Sequence, residues 1–292
     1  MNRVKSVFIG VYPMVLMAIL GLASWRIARS GAWQSWMGPL LTAAPFAAVL
    51  TRVMLWRDVA RTSASFPWLN ALAALGVAAS ALAWWRAQPE AAAALGVAAL
   101  GAATFALYSL WYSRLGRAPS GKLTVGQRLP ALELLGADGE PYSTSALAGH
   151  PALLFFYRGN WCPLCMAQIK EVAGHYRELS ALGAKVVLIS PQPHGNTAEL
   201  ARRFDVSFDF VTDVGNRAAR ALDLEMKDGL PMGMGLLGYD HDTVFPTVLV
   251  LDRDGVIRWA DQTDNYRVRP EPSTFLPLLR ELAAQKPRRQ AA

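Results

Sequence analysis

The sequence predicts a chain in two parts. Residues 1–113 read as an all-α transmembrane bundle of three or four helices, residues 114–125 as a linker, and residues 126–292 as an α/β domain with a mixed sheet covered by helices on both faces. Three observations predict this: apolar runs of membrane length crowd the first part, strand-like and helical runs alternate through the second, and the charge divides between them. Residues 1–125 hold 11 Lys/Arg against only Asp58 and Glu90, whereas residues 126–292 hold 18 Lys/Arg against 20 Asp/Glu. The overall charge of +7 therefore belongs to the first part and leaves no basic patch on the second. Nucleic acid is not an expected partner on that distribution.

The membrane reading rests on length. Residues 7–25, 66–85 and 91–113 are uncharged for 19, 20 and 23 positions, each enough to cross a hydrocarbon core of about 30 Å. A further run at 30–51 is uncharged for 22 residues but carries Gln34, Pro39 and Pro45, which leaves the count at three or four. Trp25, Trp33, Trp36, Trp56, Trp68, Trp84, Trp85 and Trp111 gather near the ends of these runs, as interfacial aromatic belts do. A cleaved leader does not fit, because the first run is long and more follow. With four spans, the N-terminus, the Arg57/Arg61 loop and residues 114–122 share one side, against Arg26, Arg29 and Arg86 on the other. Counted with three spans or four, the basic excess lies on the side of the second domain. The expectation is a multi-pass protein of a bacterial inner membrane, partnered by the lipid bilayer, with its α/β domain cytoplasmic.

The linker is read from SRLGRAPSGKLTV, with its Gly, Pro and Ser. Beyond it the pattern is a strand near 131–135, a turn at Asp138-Gly139, an apolar strand at 151–157 and a helix from Pro163 through about residue 182. A strand at 184–190, a helix at 197–204, a strand at 208–212 and a helix at 214–222 come next. Strands at 247–251 and 256–260 flank a turn at 253–255, and a helix at 273–285 closes the domain. Alternation of this kind implies a sheet with helices on both faces. Residues 226–238 read as an irregular Gly-rich loop and residues 286–292 as a disordered basic end.

Only two cysteines exist, Cys162 and Cys165, and they stand together in Asn160-Trp161-Cys162-Pro163-Leu164-Cys165 where the strand gives way to the helix. That places Cys162 at the helix N-cap and Pro163 at the first helical position, where a missing N–H costs nothing. The N–H groups of Leu164 and Cys165 would point at the Cys162 sulfur, and the positive end of the helix would favour its thiolate. Cys162 is thus the expected attacking thiol, with access to solvent, and Cys165, one turn in and less exposed, the resolving one. A reversible Cys162–Cys165 disulfide is the expected product. Zinc would need two more ligands, and His150, His175, His194 and His241 form no second pair. A structural disulfide would close too short a loop to restrain the unfolded chain. No metal and no organic cofactor is expected.

Residues 123–261 resemble the thioredoxin-like redoxins of the alkyl hydroperoxide reductase and thiol-specific antioxidant family. The resemblance is carried by Val125-Gly126-Gln127-Arg128-Leu129-Pro130, by Asp138-Gly139 with Ser145-Ala146-Leu147-Ala148-Gly149, by Phe155-Phe156-Tyr157-Arg158-Gly159-Asn160-Trp161-Cys162-Pro163-Leu164-Cys165, and by Phe245-Pro246-Thr247-Val248-Leu249-Val250-Leu251-Asp252. It implies a thioredoxin-like fold and a redox cysteine pair. Three departures matter. Phe155 and Gly159 occupy the Pro and Thr positions of the peroxiredoxin motif P-x-x-x-T/S-x-x-C, whose hydroxyl binds peroxide oxygen. Pro246 stands where those enzymes keep an arginine, and resembles the cis-proline with which thioredoxins dock substrate backbone. Phe156 replaces the buried aspartate of thioredoxins.

These residues favour a membrane-anchored thiol-disulfide oxidoreductase in which Cys162 attacks and Cys165 resolves. Trp161, Pro163, Pro246 and Arg158 are the supporting residues: Trp161 shields the disulfide and offers an apolar docking surface, and Arg158 stabilises the thiolate or binds peroxide. The alternative is a thiol-dependent peroxidase acting on hydroperoxide through the same pair, and a further alternative is a non-catalytic membrane redox sensor. Expected partners are a thiol reductant or a disulfide-bearing protein.

Overall fold

The computed structural model describes residues 2–56 and 61–285. Arg57 and Asp58, which enter the charge count of the first part, and the basic tail at 286–292 lie outside the described residues. The chain divides into two units, one holding most of residues 3–114 and the other taking in residues 115–292.

The first unit is built from α1 (Asn2–Ser30), α2 (Trp33–Leu55), α3 (Pro67–Trp85) and α4 (Ala91–Ala106), the last running on through a π-helical turn at Leu107–Tyr112. All four are long and apolar enough to cross a membrane. The run interrupted by Pro39 and Pro45 is therefore helical too, with both prolines inside α2. Small residues let α2 and α3 close on each other: a Cβ on Gly38 would lie 2.4 Å from the Gly76 carbonyl oxygen and 2.0 Å from Ser80 Oγ. In a lipid solvent such close backbone approach replaces hydrophobic drive as the source of helix cohesion. Aromatic rings fill one end of the bundle, where the Phe46 centroid stands 4.6 Å from Tyr108, 5.1 Å from Phe105 and 5.8 Å from Tyr12. Trp36 departs from the expected belt, since it is buried and its Nε1 donates to Glu90 at 2.7 Å.

The second unit contains, in chain order, β1 (Glu133–Gly136), β2 (Pro141–Ser143), β3 (Ala152–Phe156), α5 (Pro163–Gly174), α6 (Tyr176–Ala181), β4 (Lys185–Ser190) and α7 (His194–Phe204). Next come β5 (Asp209–Thr212), α8 (Arg217–Ala221), β6 (Glu225–Met226), β7 (Thr243–Val244), β8 (Thr247–Leu251), β9 (Ile257–Asp261) and α9 (Pro272–Ala284). Seven strands form one sheet in the order β2-β1-β5-β4-β3-β8-β9, and β6 with β7 forms a separate ribbon. Strands β3, β4 and β5 run parallel, while β8 pairs antiparallel with β3 and β1 antiparallel with β5. β3 reads ALLFF without alternation because it is central and buried along its whole length. Ala152, Leu154 and Phe156 share a core with Ala218, Ala219 and Leu222 around α8, whereas Phe155, on the opposite face, meets Phe275 of α9 edge-on at 6.0 Å. Helices thus cover both faces of this mixed, thioredoxin-like sheet.

Three local differences from the expected elements have clear causes. The helix expected through residue 182 breaks after Gly174, a poor helix former, with His175 at φ −100° and ψ 11° before α6 begins. The helix expected over 214–222 starts as a 3-10 turn, because Gly215 and Asn216 adopt φ of 65° and 55°. The Asp213 carboxylate satisfies the start of α8, accepting from the Ala218 and Ala219 N–H groups at 2.8 Å each. The segment read as a linker lies on this unit: Leu123 is in its core, and the Leu115 N–H donates to the Asp264 carbonyl.

Candidate active site

The site is the turn between β3 and α5. Tyr157 leaves the sheet with its N–H donating to the Ile189 carbonyl at 2.9 Å, and the chain then doubles back so that the Cys162 N–H donates to the Gly159 carbonyl at 3.2 Å. Gly159 has φ +145°, and a Cβ there would fall 2.6 Å from Trp161 Nε1, so no side chain fits this corner. Cys162 is the N-cap of α5, with extended φ and ψ of −89° and 108°, and Pro163 opens the helix as expected.

A buried polar network holds the turn from below. The Asn160 N–H donates to Gln192 Oε1 at 2.7 Å, and Gln192 Nε2 donates to Tyr157 Oη and Thr197 Oγ1, both at 3.1 Å. Thr212 Oγ1 extends the chain to Thr197 at 2.9 Å. From the side, Tyr239 donates to Asn160 Oδ1, Thr243 Oγ1 donates to the Arg158 carbonyl at 2.9 Å, and Arg158 Nη2 donates to the Gly229 carbonyl at 2.6 Å. The Gly-rich loop at 226–238 is therefore tied to the cysteine turn through Gly229. Linked in this way, the network rigidifies the backbone that carries the sulfurs.

Both sulfurs are enclosed: Cys162 is 2 % exposed and Cys165 1 %. The open nucleophile expected from the sequence is not what folds, since Arg158 and Arg269, both buried, close the site. The acidity of Cys162 is as expected in direction but not in main cause. Its pKa falls from the ordinary 9.0 to about 6 chiefly because the Cys165 thiol hydrogen-bonds to its sulfur. Burial opposes this, and the Arg158 and Arg269 guanidinium groups favour the thiolate. The Cys165 N–H adds least, and its approach falls short of a full capping hydrogen bond. Cys165 moves the other way, pushed up first by burial and then by its bond to Cys162. The proton shared by the pair thus rests on Cys165, which leaves Cys162 the more acidic of the two thiols.

Arg158 is not a solvated strand-end residue. Its guanidinium stacks 4.6 Å from the centroid of a Trp161 ring and lies 5.9 Å from that of Tyr266. Arg269 Nη2 reaches Cys165 Sγ at 3.9 Å across 104 residues of sequence. Pro246 corrects a further expectation, because no cis peptide bond occurs among the described residues. Its trans bond opens β8, where Thr247 pairs with Phe156 and a missing N–H breaks no ladder bond. Arg117 fixes this corner, donating to the Pro246 carbonyl and to Thr247 Oγ1 at 3.0 Å each. Sequence reasoning missed Arg269, Gln192, Tyr239 and Arg117. Arg269 carried the only available signal, forming with Arg267 a basic pair between Asp264 and Glu271.

Residues 125–260 match the AhpC/TSA family model. Among curated proteins, the chain is 28 % identical over 99 residues to the chloroplastic peroxiredoxin Q of Sedum lineare, covering 34 % of this chain and 53 % of that one. It is 29 % identical over 96 residues to the chloroplastic peroxiredoxin Q of Populus jackii, covering 33 % and 45 %. The chain thus spans about half the length of these relatives. It is 23 % identical over 134 residues to peroxiredoxin Bcp of Bacillus subtilis, covering 46 % and 81 %. Among solved structures, peroxidoxin BcpB of Mycobacterium tuberculosis aligns with a TM-score of 0.46 and 21 % identity, over 55 % of this chain and 98 % of that one.

Proposed function

We propose that this chain, whose residues 125–260 match the AhpC/TSA family model, is a membrane-anchored, thiol-dependent peroxidase. This places the peroxidase reading ahead of the disulfide-reductase reading favoured by the residues alone. One observation carries the choice: a thiolate-favoured Cys162 enclosed at 2 % exposure, with its proton held by Cys165. A disulfide-bearing protein would have to bring a sulfur and its flanking chain in line with that atom, whereas a hydroperoxide need insert only two oxygens. The names of the curated relatives support the same ranking.

In the proposed cycle the Cys162 thiolate attacks one peroxide oxygen. An S–O bond forms as the O–O bond breaks, sulfur is oxidised by two electrons, and the other oxygen leaves to be protonated by water as an alcohol or as water itself. Cys165 then attacks the sulfenic acid, releasing water and closing the Cys162–Cys165 disulfide. An external thiol reductant restores both thiols by exchange. Arg158 and Arg269 favour the thiolate form of the attacking sulfur before the S–O bond forms. Four helices of membrane length support anchoring, and the charge distribution favours a cytoplasmic redoxin domain.

The test uses the full-length protein in detergent or vesicles, assayed in parallel for H2O2 consumption with a dithiol and for reduction of a protein disulfide. Peroxide turnover that disappears in Cys162→Ser supports the proposal. Disulfide reduction without peroxide consumption would return the account to a thiol-disulfide oxidoreductase.

A further inference from the structure

Trp161 presents a feature that shielding alone does not use. Its Nε1 is buried and has no hydrogen-bond partner among the described residues. A buried donor left without an acceptor costs on the order of 1–3 kcal/mol, so one retained beside a reactive atom calls for an acceptor that arrives with the ligand. The indole is held firmly: the Arg158 guanidinium stacks on its face at 4.6 Å, and its N–H edge lies over Gly159. The direction a side chain would take from Gly159 leads to that edge, since an ideal Cβ would stand 2.6 Å from Nε1 and 2.8 Å from Cδ1. Glycine at 159 is therefore what lets the indole lie there, since any side chain would displace the ring. Trp161 also directly precedes Cys162 in the chain, and the guanidinium stacked on it favours the Cys162 thiolate.

We propose that Trp161 Nε1–H is a substrate-contacting donor that hydrogen-bonds an oxygen of the hydroperoxide while Cys162 Sγ attacks. The inference rests on the peroxidase reading of the cysteine pair. The indole keeps its proton: it stabilises charge growing on peroxide oxygen as the O–O bond breaks, and the departing oxygen is still protonated by water. The contact matters where charge grows on oxygen: an electrophile that Cys162 attacks at carbon with loss of iodide develops no such charge for the N–H to stabilise.

Trp161→Phe in the full-length protein keeps an aromatic ring under Arg158 and removes the donor, and the alkylation rate controls for the ring volume lost with it. Two rates are compared at one pH: single-turnover oxidation of Cys162 by H2O2, and alkylation of Cys162 by iodoacetamide, which reports thiolate and access alone. Oxidation slowed roughly 10- to 100-fold with alkylation within about twofold of wild type supports the proposal. Oxidation unchanged, or both rates falling together as for a residue that merely packs, overturns it. A wild-type chain that does not react with H2O2 overturns the peroxidase reading itself and this inference with it, a result distinct from any difference between the two variants.

Discussion

Replacing Cys165 by alanine probes the strongest influence on the nucleophile. The Cys165 thiol is the largest cause of the low Cys162 pKa, and burial, the next in size, pulls the other way. A hydrogen bond to a charged group is worth about 1.5–3 kcal/mol, which is roughly one to two pH units at 1.36 kcal/mol each. Cys165→Ala should therefore raise the Cys162 midpoint from about 6 to between about 7 and 8, with Arg158 and Arg269 keeping it below the ordinary 9.0. The sign comes from the reactive form: the thiolate reacts, so the rate rises with pH through the midpoint and the whole profile moves to higher pH. At pH 7 the thiolate fraction falls from about nine-tenths to between about one-half and one-tenth, a loss of roughly two- to tenfold. A more basic thiolate is intrinsically a better nucleophile, which narrows the rate difference at fixed pH and makes the midpoint the better readout. The assay is the pH dependence of iodoacetamide alkylation in the full-length variant, where Cys162 is the sole cysteine. A midpoint that stays near 6 would refute the assignment of Cys165 as the stabilising donor.

Arg269→Met should raise the Cys162 midpoint by about one pH unit, because a cation that favours the thiolate is exchanged for a neutral side chain of similar length. The same alkylation profile checks this, and an unchanged midpoint would remove Arg269 from the site. In the helical unit, Gly38→Ala puts a methyl group 2.4 Å from the Gly76 carbonyl oxygen and 2.0 Å from Ser80 Oγ. It should destabilise the α2–α3 pair by about 1–3 kcal/mol, seen as a lower melting temperature in detergent. An unaltered melting temperature would contradict that close packing.

The order of strands and helices in the redoxin unit was legible because its period is strong: the continuous apolar run of β3 and the Cys-Pro step into α5 each derive from local chemistry. Pieces two or three residues long, such as β2, β6 and β7, have too few positions to show a period and were not foreseen. The placement of Cys162 at the head of α5 with Cys165 one turn in was legible, and so was the direction in which the acidity of the first sulfur moves. Its surroundings were not. Arg269 reaches Cys165 from an irregular segment 104 residues away, and Gln192 acts through its amide under the turn, so neither belongs to a motif. Burial of the sulfurs was equally hidden, because enclosure depends on how distant residues such as Arg158 and Arg269 converge. Pro246 illustrates the limit of resemblance: its place at the head of β8 was foreseen, but the isomer was not, since Arg117 and the β3 ladder decide how that corner packs.

The central claim is that Cys162 takes oxygen from a hydroperoxide and Cys165 completes the turnover. The most direct measurement treats the full-length Cys165→Ser protein with equimolar H2O2 in the presence of dimedone and locates the adduct by peptide mass spectrometry. The account predicts one dimedone adduct, on Cys162, and in the wild-type chain a Cys162–Cys165 disulfide in its place. Cys162 recovered as an unmodified thiol after the peroxide treatment would contradict it.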